Sequence, residues 1–167
     1  MTDFTIQPCQ PGDSHYQAVR DLVESLGQTE YFTYDADWHL DTHILIAVAS
    51  GRAVGFLNFA IQEIGTDCNR PGMTLQGEIL REAYVLAFGV AEDHRRHGVG
   101  SELQNELIRL ATTLGCHQVR SRSAGNRLAN HALKVSLGFG VHPTKANDDA
   151  VFFVLPLPKH PDPNAVR

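Results

Sequence analysis

Cysteine is scarce in this chain. Cys9, Cys68 and Cys116 are spread over 167 residues, and no two of them form a Cys-x-x-Cys pair. So odd and sparse a set argues against a disulfide framework and for reduced thiols. Long apolar runs are missing as well. The longest, Ile44–Ala49 and Tyr84–Phe88, have the length of strands and fall far short of a bilayer span. Basic charge is not in excess: 14 Lys and Arg stand against 19 Asp and Glu, a formal net charge of −5, the opposite of a nucleic-acid-binding footprint. Residues 1–13 lack a basic stretch followed by an apolar core, so no secretory signal is expected and the chain reads as cytoplasmic. Internal repeats and dividing linkers are also lacking. Residues 1–157 therefore read as one domain, and the polar, proline-containing tail 158–167 is expected to be disordered.

What is present is ordinary for a globular protein, with 43% hydrophobic and 20% charged residues. Phe4–Ile6 reads as a short strand stopped by Pro8, Pro11 and Gly12. Ser14 with Gln17 has the form of a capping box, and Tyr16, Val19, Val23 and Leu26 follow at helical spacing up to Gly27. Residues 28–42 read as a short helix or loop in which Tyr31, Phe32, Tyr34 and Trp38 gather. Ile44–Val48 and Ala53–Ile61 are strands joined by Ser50-Gly51, a hairpin signal, and residues 65–77 read as a loop. A strand region over 78–90, a helix over 98–114, a strand over 118–121, a helix over 128–137 stopped by Gly138, and a strand over 152–155 complete the series. This order places the chain in the α+β class, a mainly antiparallel sheet with helices on its faces.

One segment says more than the rest. In YVLAFGVAEDHRRHGVGSEL, residues 84–103, an apolar strand feeds RRHGVG, and Gly98 and Gly100 precede Leu103 and Leu107 at helical spacing. Free backbone N–H groups and the positive end of the helix dipole would point the same way there, which suits a phosphate or pyrophosphate. Arg95 and Arg96 add positive charge beside it. A P-loop needs Gly, four residues, then Gly-Lys-Ser/Thr, a string this chain does not contain. The dinucleotide fingerprint needs a third glycine where Leu103 stands, in a unit near the start of the fold.

Arg95, Gly98 and Gly100 in Arg-x-x-Gly-x-Gly resemble the acetyl-CoA pyrophosphate motif of the GNAT N-acetyltransferase superfamily, and Leu86–Val90 resembles the strand before it. Downstream, Asn130-His131-Ala132-Leu133 leads through Ser136-Leu137 to Gly138-Phe139, similar to the helix and Gly-Phe ending of that family. The resemblance spans roughly residues 3–157. It implies the GNAT acyl-CoA N-acyltransferase fold, a mixed, mainly antiparallel sheet flanked by helices, and direct transfer of an acetyl group from acetyl-CoA to a primary amine. It also implies that the turn Arg95, Arg96, His97, Gly98, Val99, Gly100 and Ser101 holds the cofactor. The pantetheine arm would lie along Phe88, Gly89 and Val90 as a pseudo-strand partner, with one N–H facing the thioester oxygen. Relatives often place an Asn near Asn126 or Asn130 to contact CoA, at a spacing one residue shorter than Asn126 to Gly138; Asn126 equally suits a helix cap. Glycine at 89 suits either a close backbone approach or simple relief of crowding.

The catalytic groups are less evident. Many relatives carry a Tyr at the position of Lys134, which is open to three readings: proton donor, contact to a CoA phosphate, or solvated surface lysine. His131 lies one turn earlier on the same helix and titrates near neutrality, or is a packed structural histidine. Glu82 is the candidate base, sharing strand parity with Tyr84, Leu86, Phe88 and Val90 until a bulge breaks register. At roughly 3.3 Å per residue it sits about 20 Å from Phe88, so a water chain or a solvated role competes with direct contact. Tyr84 is nearer and would orient the amine or act as acid.

His94 and His97 lack companions at ligand spacing, so no metal is expected. The aromatic group Tyr31–Trp38 borders the acceptor cleft of the resembled fold, and its faces suit a cationic amine or simply cover the core. The loop 65–77 is the other candidate recognition element. A non-catalytic acyl-CoA sensor is the alternative, favoured by the absence of Tyr at 134, and transfer to oxygen or of longer acyl chains would need changes only in the cleft. No nucleic-acid or membrane partner is expected. For a homo-oligomer the commonest arrangement is a dimer.

Overall fold

The computed structural model describes residues 3–145 and 148–158. The chain opens with β1 (Thr5–Cys9), α1 (Tyr16–Ser25) and α2 (Thr29–Phe32), then the hairpin β2 (His39–Ala49) and β3 (Arg52–Glu63). A small hairpin of β4 (Thr74–Leu75) and β5 (Glu78–Ile79) precedes β6 (Arg81–Val90) and α3 (Val99–Thr113). β7 (Gln118–Ser123), α4 (Leu128–Ser136), β8 (Gly140–Pro143) and β9 (Val151–Pro156) follow. Seven strands form one sheet in the order β1-β2-β3-β6-β7-β9-β8. Every pair in it is antiparallel except β6–β7. No described helix is long and apolar enough to cross a membrane.

The two faces of the sheet carry separate cores. On one, α3 inserts Val99, Leu103, Leu107 and Ala111 against Leu57, Phe59, Ala83 and Val85. On the other, Val19 and Val23 of α1 and Phe32 of α2 cover Ile46, Phe56 and Ala87. The helical spacing of Val19 and Val23 turns one stripe of α1 inward, and burying each valine contributes about 1.5–3 kcal/mol.

Several local expectations are corrected. Strand β1 runs through Pro8 to Cys9, because an edge strand tolerates a residue without an N–H. The Ser14/Gln17 capping box does not form: Asp13 closes the preceding turn by accepting from the Gln10 N–H at 2.7 Å, the helix begins at Tyr16, and Gln17 donates to Asp21 instead. Glu78 belongs to the small hairpin, not to the long strand. β8 was not anticipated. The tail expected to be disordered lies, after Pro158, outside the described residues.

Strand β6 places the site, through two irregularities. Opposite the Asn58/Phe59 step the register jumps from Ala87 to Val85, so Leu86 is an extra residue, a β-bulge. Glu82 and Tyr84 thus share a face with Ala87 and Gly89, the face of α1 and α2, while Phe88 and Val90 pack with the α3 core. The parity expected from Glu82 through Val90 ends at this bulge. The second irregularity is that β7 pairs with β6 only from Glu82–Gln118 to Val85–Ser121, whereas β3 follows β6 to Val90. From Leu86 onward β6 and β7 part, and a gap opens between them.

Candidate functional site

The gap leads to the start of α3. Gly98 precedes the helix with φ +86°, a left-handed conformation that a side chain resists, and an added Cβ would meet nothing within 4 Å. The first intrahelical bond runs from the Glu102 N–H to the Gly98 carbonyl at 3.0 Å. The amides of Val99, Gly100 and Ser101 therefore have no acceptor inside the helix, and Gly98 brings no capping side chain to occupy them. Arg95, Arg96 and His97 are exposed around this turn, and Arg95 Nε reaches back 3.2 Å to the Val90 carbonyl, tying the turn to the strand end. Asp93, held between His94 and Arg52, has its carboxyl lowered to about 2 by those hydrogen bonds and steadies the approach to the turn. Among the described residues no group of His, Cys, Asp and Glu could hold a metal.

Phe88 and Val90 line the gap on the β6 side, with Gly89 between them. An ideal Cβ on Gly89 would stand 2.7 Å from Leu26 Cδ1 and 3.0 Å from Phe56, so packing of the α1 end explains this glycine. The Phe88 backbone is engaged from the same quarter: its N–H donates to Gln28 Oε1 at 3.1 Å, and Gln28 Nε2 donates to its carbonyl at 2.8 Å. No pattern in the sequence singled out Gln28.

Across the gap stands α4. Lys134 is fully buried, its Nζ donating to Gln104 Oε1 of α3 at 2.8 Å and lying 4.6 Å from the Phe139 ring centroid. Burial pulls its pKa from 10.5 down to about 7. The surface-lysine reading is thereby corrected, and the enclosed position does not suit contact with an exposed phosphate. Leu133 and the Phe88 ring close on Gly100, at 3.4 and 3.2 Å from an ideal Cβ there, which sets α4, the start of α3 and β6 against one another.

His131 turns elsewhere. Its Nε2 lies 2.9 Å from the Ala124 carbonyl and 3.2 Å from Ser123 Oγ, bonds that fasten α4 to the end of β7. Asn130 Nδ2 also reaches Ser123 Oγ, at 3.1 Å. Asn126 is exposed, and α4 begins after Arg127 without a side-chain cap, so the capping reading of Asn126 is not realised.

On the α1/α2 face, upstream of the bulge, Glu82 is fully buried and both its oxygens are engaged. Arg120 Nη2 lies 2.7 Å from Oε1, Gln62 Nε2 2.9 Å from Oε1 and Gln118 Nε2 2.7 Å from Oε2. Arg120 also pairs with Asp67 at 2.6 Å, and its guanidinium carbon lies 4.8 and 4.9 Å from the Tyr84 and Phe152 ring centroids. Glu82 is therefore an anchor for Arg120, not a solvated carboxylate. Burial, partly offset by the nearby Arg120, raises the Tyr84 pKa and keeps it a phenol. Buried atoms on this face without a hydrogen-bond partner include His39 Nε2, Asn58 Oδ1, Gln62 Oε1 and Asp67 Oδ1.

A helix start with free amides is the arrangement expected from Arg95 to Gly100, and the sequence matches the acetyltransferase (GNAT) family over residues 13–139. The chain belongs to that family. This GNAT chain is similar to Arabidopsis thaliana NAA60 in complex with acetyl-CoA, at 17% identity and TM-score 0.70 over 92% of this chain and 98% of that one. It is also similar to the ribosomal-protein-S18-alanine N-acetyltransferase of Escherichia coli, at 18% identity and TM-score 0.64 over 99% and 100% of the two chains. A third likeness is an acyl-CoA N-acyltransferase fold from Klebsiella pneumoniae, at 18% identity and TM-score 0.67 over 94% and 99%. At such identities the likeness establishes the fold. No curated protein sequence matches the chain significantly.

Proposed function

We propose that this GNAT chain transfers the acetyl group of acetyl-CoA to a primary amine by direct attack on the thioester. The observation that carries the reading is the continuity from the β6 edge, freed of β7 beyond Val85, to the unpaired amides of Val99, Gly100 and Ser101. A pyrophosphate on those amides, flanked by Arg95, Arg96 and His97, leaves an extended arm to run back along Val90 and Phe88 into the gap. The amine comes from the α1/α2 face, past Tyr84 and the aromatic segment Tyr31–Trp38.

In the reaction the amine nitrogen bonds to the carbonyl carbon, the C–S bond breaks, the amine releases a proton to solvent and the thiolate takes one up. Lys134, at the position where many relatives carry Tyr, supplies the latter once its Nζ leaves Gln104 Oε1. With a pKa of about 7 it is part protonated at neutral pH and gives its proton readily, which an ordinary lysine does not. Tyr84, kept as a phenol, orients the amine. Glu82 stays paired with Arg120 and shapes the cleft.

The alternative, a sensor that binds acyl-CoA without turnover, is favoured by lysine at 134 where relatives carry tyrosine. Calorimetric CoA binding together with CoA release from acetyl-CoA against an amine panel separates the two. Binding with amine-dependent release is expected. Binding without release from any amine would favour the sensor, and no binding would overturn both readings.

A further inference from the structure

The contact between Gln28 and Phe88 joins residues 60 positions apart, and it is made at the gap itself. Antiparallel pairing alternates which residues turn toward the partner strand. Since the Ala91 N–H donates to Val54 of the β3 strand, Gly89 and Ala91 face β3, and Phe88 and Val90 face the gap. Both polar groups that Phe88 shows to the gap are taken by Gln28, its Oε1 accepting from the N–H and its Nε2 donating to the carbonyl. Gln28 is set there by a defined turn: Gly27, at φ +68°, ends α1, and Leu26 just before it packs on Gly89. It therefore reaches the gap from the face opposite α3 and α4.

The end of a glutamine side chain, CH2–C(=O)–NH2, is an acetamide. Acetyl transfer to an amine makes the same planar unit, CH3–C(=O)–NH–R. We propose that Gln28 is an intramolecular mimic of the product amide, an autoinhibitory contact that occupies Phe88 in the unliganded protein, yields to the acyl group of the donor and returns to displace the product. This rests on the reading of Phe88–Val90 as the acyl-binding edge. The carbonyl oxygen of the donor and Gln28 Oε1 compete for one N–H, so the acetyl group adds little to the affinity of CoA while Gln28 is present. Coenzyme A lacks the thioester carbonyl and, with its arm amides paired at Val90, does not compete at Phe88. A structural staple between α1 and β6 would not tell the two ligands apart.

Calorimetry of acetyl-CoA and of CoA with wild type and Gln28→Ala tests this. Two neutral hydrogen bonds released from competition correspond to acetyl-CoA binding about tenfold tighter in the variant, with CoA affinity within about twofold of wild type. Equal changes for both ligands, no change for either, or weaker acetyl-CoA binding would overturn the proposal. Failure of wild type to bind either ligand would instead sink the acyl-CoA reading on which it stands. Should Gln28→Ala not fold, the wild-type protein still decides. The Gln28 side-chain NH2 resonances in a nitrogen-15 spectrum should move toward free-glutamine positions with the unreactive ketone S-acetonyl-CoA and stay in place with CoA. Resonances unmoved by both, or moved alike by both, would refute the mimic.

Discussion

Lys134 Nζ lies 2.8 Å from Gln104 Oε1, an amine of α4 donating to an amide of α3 in a wall closed to solvent. Burial moves the lysine from 10.5 to about 7. Between those values the unfolded chain holds a proton that the folded protein has lost, so this group makes stability rise with pH from about 7 to about 10, by at most about 1.4 kcal/mol per pH unit. Below about 7 both states are protonated and the folded one bears the full cost of a buried charge. Lys134→Met removes the titration. Urea melts near pH 6 and near pH 9 should show wild type less stable than the variant at the lower pH, with the gap closing at the higher. A gap independent of pH would mean that the lysine does not titrate as argued.

The same variant addresses chemistry. Loss of a positioned acid lowers kcat by about a hundredfold or more and leaves the acetyl-CoA KM nearly unchanged. Lys134→Tyr should restore part of the rate. For wild type, kcat should decline above about pH 7 as the ammonium is lost, a limb absent in Lys134→Met. Steady-state kinetics across pH checks all three.

Gly98 offers a test of the anion cradle with little packing to confound it. Its φ of +86° makes alanine strained by about 1–2 kcal/mol, yet the new methyl group meets no neighbour. Gly98→Ala should weaken CoA by about tenfold and leave pantetheine, which has no pyrophosphate, unaffected. Equal losses for both compounds would point to general disorder of the turn.

Arg120→Met leaves Glu82 buried without its cation. A cost of about 3–5 kcal/mol in urea unfolding is expected. Adding Glu82→Gln should recover a large part, because no unpaired charge remains. If the double variant is as unstable as the single, the loss lies with the Tyr84 and Phe152 contacts of Arg120.

Gly89→Ala drives a methyl group to 2.7 Å from Leu26 Cδ1. Overpacking of this kind costs about 1–3 kcal/mol. Leu26→Ala in the same chain makes room, so the double variant should lose less than the sum of the two singles in thermal melts.

The helices and long strands were legible because their apolar spacing is regular: Val19 and Val23 in α1, and Leu103, Leu107 and Ala111 in α3. The turn before α3 was legible because Gly98 and Gly100 stand two apart where the helical spacing of Leu103 and Leu107 begins. β8 escaped because all its residues are exposed on an edge strand and carry no alternation. The bulge at Leu86 leaves no compositional mark, so the facing of Glu82 relative to Phe88 could not be read. Nor could the ion-pair cluster, since Asp67 and Glu82 are 53 and 38 positions from Arg120 and meet it only through sheet register. Lys134 reads as a surface cation because its companion on α3 is a neutral glutamine, which charge patterning does not reveal.

The extra residue at 86 also acts as a shift of frame. Upstream of it, odd positions meet α3 and even ones the opposite side; downstream the assignment is exchanged. Straightening the strand with all its residues kept would send Phe88 and Val90 toward α1 and drive Ala87 and Gly89 into the α3 core, whereas deleting Leu86 would close the bulge and keep both facings. What is constrained at this point is thus the break in alternation more than the identity of the residue that makes it. In the proposed enzyme the bulge separates Tyr84, on the amine's side, from the Phe88 and Val90 edge proposed for the donor.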